Sequence, residues 1–233
     1  MYMCLTTKET VLLSIEENLN SIEADLNGKK VVLVAVSKTK PVEDIQTAYN
    51  AGIRDFGENK VQELMGKESE LPKDIRWHLI GHLQRNKVKY IVGKVYLIHS
   101  LDSIRLLNEL EKHYSAEGLI ANTLVQINIG REESKTGIYV ENLESLIEAC
   151  ENCTSVKVRG LMAVIPQGDE ESCRYYFKEM KSIFDKLKER KFKNISMNVL
   201  SMGMTHDYKI AVEEGATLVR IGEGIFGKRN YNK

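Results

Sequence analysis

The stretch Val31-Val32-Leu33-Val34-Ala35-Val36-Ser37-Lys38 decides the fold. Six apolar residues in succession, ending at a polar pair, suit a strand covered on both faces, as strands of a parallel sheet are. Upstream, Thr6 to Leu26 places Val11, Leu12, Ile15, Leu19, Ile22 and Leu26 at helical spacing. Downstream, strand-like and helix-like segments alternate. Strands are expected at Val31–Ser37, Arg54–Gly57, Ile75–Gly81, Val95–His99, Asn122–Ile129, Lys157–Ile165, Asn198–Ser201 and Leu218–Gly222. Helices are expected between them, for example over Val42–Ala51, Ser103–Tyr114, Val140–Glu151, Glu170–Arg190 and His206–Glu214.

Such alternation implies crossover βαβ units. About eight of them fit a single (β/α)8 TIM barrel of the α/β class, with the leading helix as an extra piece covering one end. The rival is a doubly wound open sheet. Its phosphate-binding fingerprint is missing from the first strand-to-helix turn, Ser37-Lys38-Thr39-Lys40-Pro41, so the barrel leads. With three prolines and no Ser/Gly/Pro-rich linker, residues 1–233 read as one domain.

Lysine plus arginine balances aspartate plus glutamate at 33 each, so no global field draws in nucleic acid or an anionic membrane. No apolar run approaches the roughly 20 residues of a membrane span, and Met1 to Thr10 lacks the pattern of a signal peptide. Four cysteines (Cys4, Cys150, Cys153, Cys173) are too sparse for a disulfide framework. The Cys150-x-x-Cys153 pair has no second pair and no histidine at ligand spacing, so reduced thiols in a cytoplasmic protein are expected rather than a metal site.

Ligands of parallel α/β proteins sit at the C-terminal ends of strands. Lys38 stands there, and a lysine held among apolar residues has a lowered pKa and supplies the neutral amine that condenses with aldehydes. A solvated position just past the strand is the plain alternative. Ser201-Met202-Gly203-Met204-Thr205 and Arg220-Ile221-Gly222-Glu223-Gly224 follow the last two strands, where barrels often bind phosphate; tight turns are the alternative. Arg220 interrupts an apolar strand, so its guanidinium either points to solvent or faces a buried acceptor, a ligand atom or, as the structural alternative, Glu58 or Glu223.

Seven motifs stand in order: Ala-Val-Ser-Lys-Thr-Lys-Pro (35–41), Phe-Gly-Glu-Asn (56–59), Trp-His-Leu-Ile-Gly-His-Leu-Gln-Arg-Asn-Lys (77–87), Gln-Ile-Asn-Ile (126–129), Gly-Leu-Met (160–162), Leu-Ser-Met-Gly-Met (200–204) and Val-Arg-Ile-Gly-Glu-Gly-Ile-Phe-Gly (219–227). Together they resemble the pyridoxal 5′-phosphate (PLP) homeostasis family, also called YggS-like or proline synthase co-transcribed proteins. The resemblance implies a barrel like the N-terminal domain of alanine racemase and a Schiff base with PLP on Lys38. It also implies that Ser201, Gly222 and the backbone around Met202, Gly203 and Glu223 hold the phosphate, and that Arg220 faces the pyridine nitrogen. Asn59, His82 and Met204 would line the pocket. Lys135 matches another family lysine but reads as a solvated loop residue. Lys60, and Thr205-His206-Asp207-Tyr208-Lys209, depart from the family pattern at the rim; Thr205 can still cap a helix.

A cation at the pyridine nitrogen disfavours electron-sink chemistry. Racemisation needs two bases on opposite faces, and the second base of the racemases comes from a domain not seen in this sequence. The resemblance therefore implies a PLP carrier rather than an enzyme, a monomer or weak homodimer with transient contacts to PLP-dependent apo-enzymes. A weak amino-acid racemase using His82 or another pocket base, and a Schiff-base aldolase acting on a sugar phosphate, are the other readings.

Overall fold

A computed structural model describes residues 14–228. Eight parallel strands close into a barrel in chain order: β1 Val32–Val36, β2 Asp55–Glu58, β3 Arg76–Leu79, β4 Leu97–Leu101, β5 Ala121–Ile127, β6 Val156–Ala163, β7 Ile195–Ser201 and β8 Leu218–Ile221. β8 closes on β1 with Val34 opposite Arg220 and Ala35 opposite Ile221. The helices are α1 Ile15–Leu26, α2 Val42–Asn50, α3 Val61–Glu70, α4 Val88–Ile91, α5 Ile104–Ala116, α6 Leu143–Glu151, α7 Glu170–Lys188, α8 Tyr208–Glu213 and α9 Glu223–Phe226. This is the expected (β/α)8 architecture.

Side-chain alternation divides each strand between two environments. Ala35, Phe56, Trp77, Leu79, Ile98, Val125, Val158, Leu161, Val219 and Ile221 point outward into one large apolar layer shared with the helices. Val34, Leu97, Leu124, Met162 and Leu218 form a much smaller apolar group inside the barrel.

The leading helix departs from expectation. It begins at Ile15, where Ser14 and Glu17 form a reciprocal capping box; the part expected over 6–13 lies outside the described residues, as does Cys4. It does not cover an end of the barrel but packs on its flank against α2 and α9. The reason is geometric: α9 has a single turn and cannot shield the β8–β1 seam, so Leu19, Ile22 and Leu26 of α1 supply that apolar cover. Asn18 donates to the Ile225 carbonyl (3.0 Å), and Tyr208 to Asp25 (2.6 Å).

β7 starts at Ile195, three residues earlier than expected. Ile195 and Met197 pack outward while Ser196 and Asn198 alternate with them, so no continuous apolar run announces the strand. Val140–Asn142 forms a 3₁₀ turn ahead of α6 rather than its first turn. Cys150 and Cys153 are buried, and burial pushes their thiols up to about 12 and about 11, far from the thiolate that metal or redox work requires.

Candidate functional site

β1 and β8 bring the two sharpest sequence features together at the C-terminal mouth. Val34 is interior, and Ser37 is turned outward, donating to Glu58 (2.6 Å). The same alternation turns Lys38 toward the mouth, where it is half-buried. On β8, Leu218 is interior, so Arg220 and Gly222 share its face. A cavity of about 680 Å³ opens between the two strand ends, lined by Val36, Lys38, Lys40, Gly222, Glu223 and Lys228 among others. Three lysines against one glutamate favour a small anion. Glycine at 222 permits a close approach: a Cβ there would crowd the Val36 carbonyl oxygen at 3.2 Å and the Val36 Cβ at 3.3 Å. The strand end can thus lie against β1 with its backbone facing the cavity.

The loop carrying Lys38 is braced from the outer side by a charged cluster that the sequence reading missed. The Lys67 amine, on α3, donates to the Ser37 carbonyl (2.8 Å), Glu58 (2.8 Å) and Glu63 (2.7 Å). Glu63 also accepts from the Thr39 backbone N–H (2.5 Å), holding Thr39 at φ 65°, a left-handed conformation that a β-branched residue resists. Glu58 is fully buried, and burial raises its carboxyl despite the opposing pull of Lys67. The missed signal was positional. Val61, Leu64 and Leu71 mark the apolar face of α3, and Lys67 falls within that stripe. Lys40 was missed too; its amine donates to the carbonyls of Phe226 (2.6 Å) and Gly227 (3.2 Å), tying the β1 loop to the segment after β8.

Arg220 is buried beneath the cavity. Its partners are neither Glu58 nor Glu223: Nη1 donates to the Ser201 hydroxyl (2.5 Å) and Nη2 to the Ala163 carbonyl (2.9 Å). Glu58 points outward to Lys67, and Glu223 stands exposed at the rim. Burial lowers the guanidinium to about 10 and the Asp207 charge opposes that, so it stays cationic at neutral pH. These bonds use two of its five N–H donors.

The other expected residues divide. The Ser201 side chain lies below the cavity, committed to Arg220 and to His99 (3.1 Å). Met202 is buried in the outer layer and its N–H pairs with Leu218. Gly203, at φ 92°, has no room for a Cβ, which would sit 2.6 Å from the Ala211 Cβ. Asn59 stands on the interior register past Gly57, its backbone against Gly81. Met204 is exposed. His82 is not brought to this cavity: half-exposed, it pairs with Asp102 (3.1 Å) in a separate depression of about 610 Å³ that also contains Arg85 and Arg105. His82 lies in the segment between β3 and a 3₁₀ turn over Arg85–Lys87. Thr205 is not the N-cap of α8, which Asp207 precedes; its hydroxyl instead accepts from the Gly224 N–H (3.2 Å) in the first turn of α9, joining the last two loops. Lys135 lies exposed in a loop whose carbonyls are held by buried Asn128.

Comparison with known proteins follows the same lines. The family described as alanine racemase, N-terminal domain, matches residues 12–230. A pyridoxal phosphate homeostasis protein of Aquifex aeolicus is 45% identical over 85% of this chain and 87% of its own. One from Escherichia coli is 39% identical over 88% of each. The structure of PipY from Synechococcus elongatus, solved with PLP bound, has a TM-score of 0.84 at 34% identity, covering 92% of this chain and all of its own. An alanine racemase of Clostridium difficile, 15% identical with a TM-score of 0.75, shares the fold over 58% of its length.

Proposed function

Because this chain belongs to the pyridoxal phosphate homeostasis protein family, which is built on the alanine racemase N-terminal domain, we propose that it carries PLP as a Schiff base on Lys38. It serves intracellular PLP homeostasis by buffering the vitamer and supplying it to PLP-dependent enzymes. The observation that carries this reading is the juxtaposition of Lys38 with the glycine turn of β8 in one cation-rich cavity. The residues fit the group. Lys40, Lys228 and the close backbone of Gly222 suit a phosphate, Lys38 suits an aldehyde, and Arg220 stands on the same strand face below. PLP supplies an aldehyde whose imine with an amine forms and hydrolyses reversibly, which is what storage and release need. A PLP-bound relative and the names of the curated relatives support the assignment.

The protein acts as a carrier, not as an enzyme. Arg220, a lasting cation, withholds a proton from the ring nitrogen. A racemase would need a second base at the cavity, and His82 sits in another depression. Residues 1–233 make up one PLP-binding domain working in the cytoplasm as a monomer or weak homodimer, meeting apo-enzymes transiently and binding neither nucleic acid nor membrane. Balanced charge supports the lack of a nucleic-acid or membrane partner; among the described residues no helix is long and apolar enough to cross a membrane.

Borohydride reduction of PLP-loaded protein, followed by peptide mass mapping, tests the assignment. A pyridoxyl group on Lys38 is expected, with loss of the adduct in Lys38→Ala. A modified lysine elsewhere, or an adduct that survives Lys38→Ala, overturns it. For delivery, an apo-enzyme must be activated faster than by free PLP at the same free concentration.

A further inference from the structure

TIM-barrel interiors are ordinarily filled with branched apolar side chains. Here a row of polar groups crosses the interior beneath the cavity. Arg220 Nη1 meets Ser201 Oγ at 2.5 Å, and Ser201 Oγ meets His99 Nδ1 at 3.1 Å. His99 Nε2 meets His78 Nδ1 at 2.9 Å, and His78 Nε2 meets Asp55 Oδ1 at 3.0 Å. Asp55 also accepts from Arg76 Nε (2.7 Å) and Nη2 (2.5 Å), and the Arg76 side chain reaches solvent at the N-terminal end. Both imidazoles are fully buried.

With one hydrogen on each buried ring, the two ends of this row fix the direction of every bond. Arginine only donates and a carboxylate only accepts. Arg220 therefore donates to Ser201, and His78 Nε2 must carry a hydrogen to meet Asp55. Burial opposes a charge on either imidazole and drives both downward, His99 well below the ordinary value, so each ring carries one hydrogen. With its hydrogen on Nε2, His78 has a bare Nδ1. His99 must then donate to it from Nε2, which leaves His99 Nδ1 bare to accept the Ser201 hydrogen. The reverse order would place a bare His78 nitrogen against a carboxylate oxygen.

We propose that Asp55, His78, His99 and Ser201 form a one-way hydrogen-bond chain that positions the Arg220 guanidinium from below, and that His78 and His99 are positioning residues for cofactor binding. The Ser201 hydrogen is committed downward, so a lone pair of its oxygen faces Arg220. Every link presents its acceptor side toward the guanidinium, which stabilises the cation inside the barrel. The Ala163 carbonyl fixes the second Nη. The chain stands on the hydrogen-bond geometry and the burial of both rings; its bearing on PLP rests on the reading that Arg220 meets the ring nitrogen.

The first test needs no cofactor. In ¹⁵N-histidine-labelled protein without PLP at neutral pH, His78 and His99 should both appear as neutral Nε2–H tautomers. An Nδ1–H tautomer or an imidazolium at either position overturns the chain. His78→Phe, which does not touch Ser201, should convert His99 to a mixture of tautomers; a purely structural role would leave His99 unchanged, and that outcome also overturns it. With PLP, His99→Leu should keep borohydride-fixed attachment at Lys38 but shift the visible absorption band and weaken retention on the order of tenfold, as expected for a disordered charge-assisted hydrogen bond. His99→Asn, which keeps an acceptor for Ser201, should restore most of the loss. A wild-type spectrum and retention in folded His99→Leu would overturn the positioning role. Failure of wild-type protein to take up PLP would instead overturn the functional reading, leaving the tautomer result intact.

Discussion

The two faces of the barrel wall obey different rules. Outside, strands and helices share an apolar layer running from Leu19 on α1 to Phe226 on α9. Inside, a handful of apolar side chains around Val34, Leu97, Leu124, Met162 and Leu218 share the space with Asp55, His78, His99, Ser201 and Arg220. The outer layer contributes stability by removing apolar area from water. The interior gives up part of that gain, because each buried polar group must find a partner to offset its desolvation. The contrast teaches a division of labour: the outer layer holds the barrel together and the interior aims a few groups at the mouth. The buried Lys67–Glu58 pair breaks this rule, placing charges in the outer layer to brace the loop that carries Lys38.

This contrast can be broken by substitution. Phe177→Ala in α7, where the ring is fully buried, should cost about 3–5 kcal/mol in urea unfolding yet leave the PLP spectrum unchanged. A spectral shift would show that the layers are not separable. Lys67→Met leaves Glu58 buried without its cation and should cost about 3 kcal/mol. It should also slow attachment at Lys38, because the Ser37 and Thr39 anchors loosen; a stable variant with normal attachment would confine Lys67 to packing.

The interior has its own signature in acid. Burial alone would raise the Asp55 carboxyl, but hydrogen bonds from His78 and Arg76 outweigh it and hold it below the ordinary value. Its contribution is then complete above the unfolded-state value of about 3.9 and is lost as pH falls through the lower folded value. Asp55→Asn should remove that part of the acid limb of the stability curve; an unchanged limb would deny Asp55 its role as an anchor. Smallest is Ser14→Ala, which removes the α1 cap and should cost about 1 kcal/mol by thermal unfolding without any effect on PLP.

The same division explains what could be read in the sequence. Apolar periodicity made the strands and outer helices visible, since it reports burial against the layer. The Val31–Val36 run, the glycine turn after Arg220 and the position of Lys38 all carried local signals. His78 and His99 did not: each sits in a short strand beside another polar residue, Arg76 or Ser100, and its partner lies 21 positions away or further. Counting alternate positions from Trp77 and Ile98, which face outward, would have placed both histidines inside. Ser201 was expected at the phosphate because its loop is there, whereas strand alternation directs its side chain under the cavity. His82 was misplaced for the opposite reason: it belongs to a loop, where alternation ends and spacing no longer predicts direction.

The cavity is made where the first and last strands of the barrel meet, and Lys40 grips the carbonyls just beyond the last one. A nascent chain emerging from the ribosome therefore exposes Lys38 early but lacks the opposite wall until translation has passed β8. On the site proposed above, capture of the vitamer would wait for the finished barrel, because a product that stops before β8 lacks one wall of the cavity.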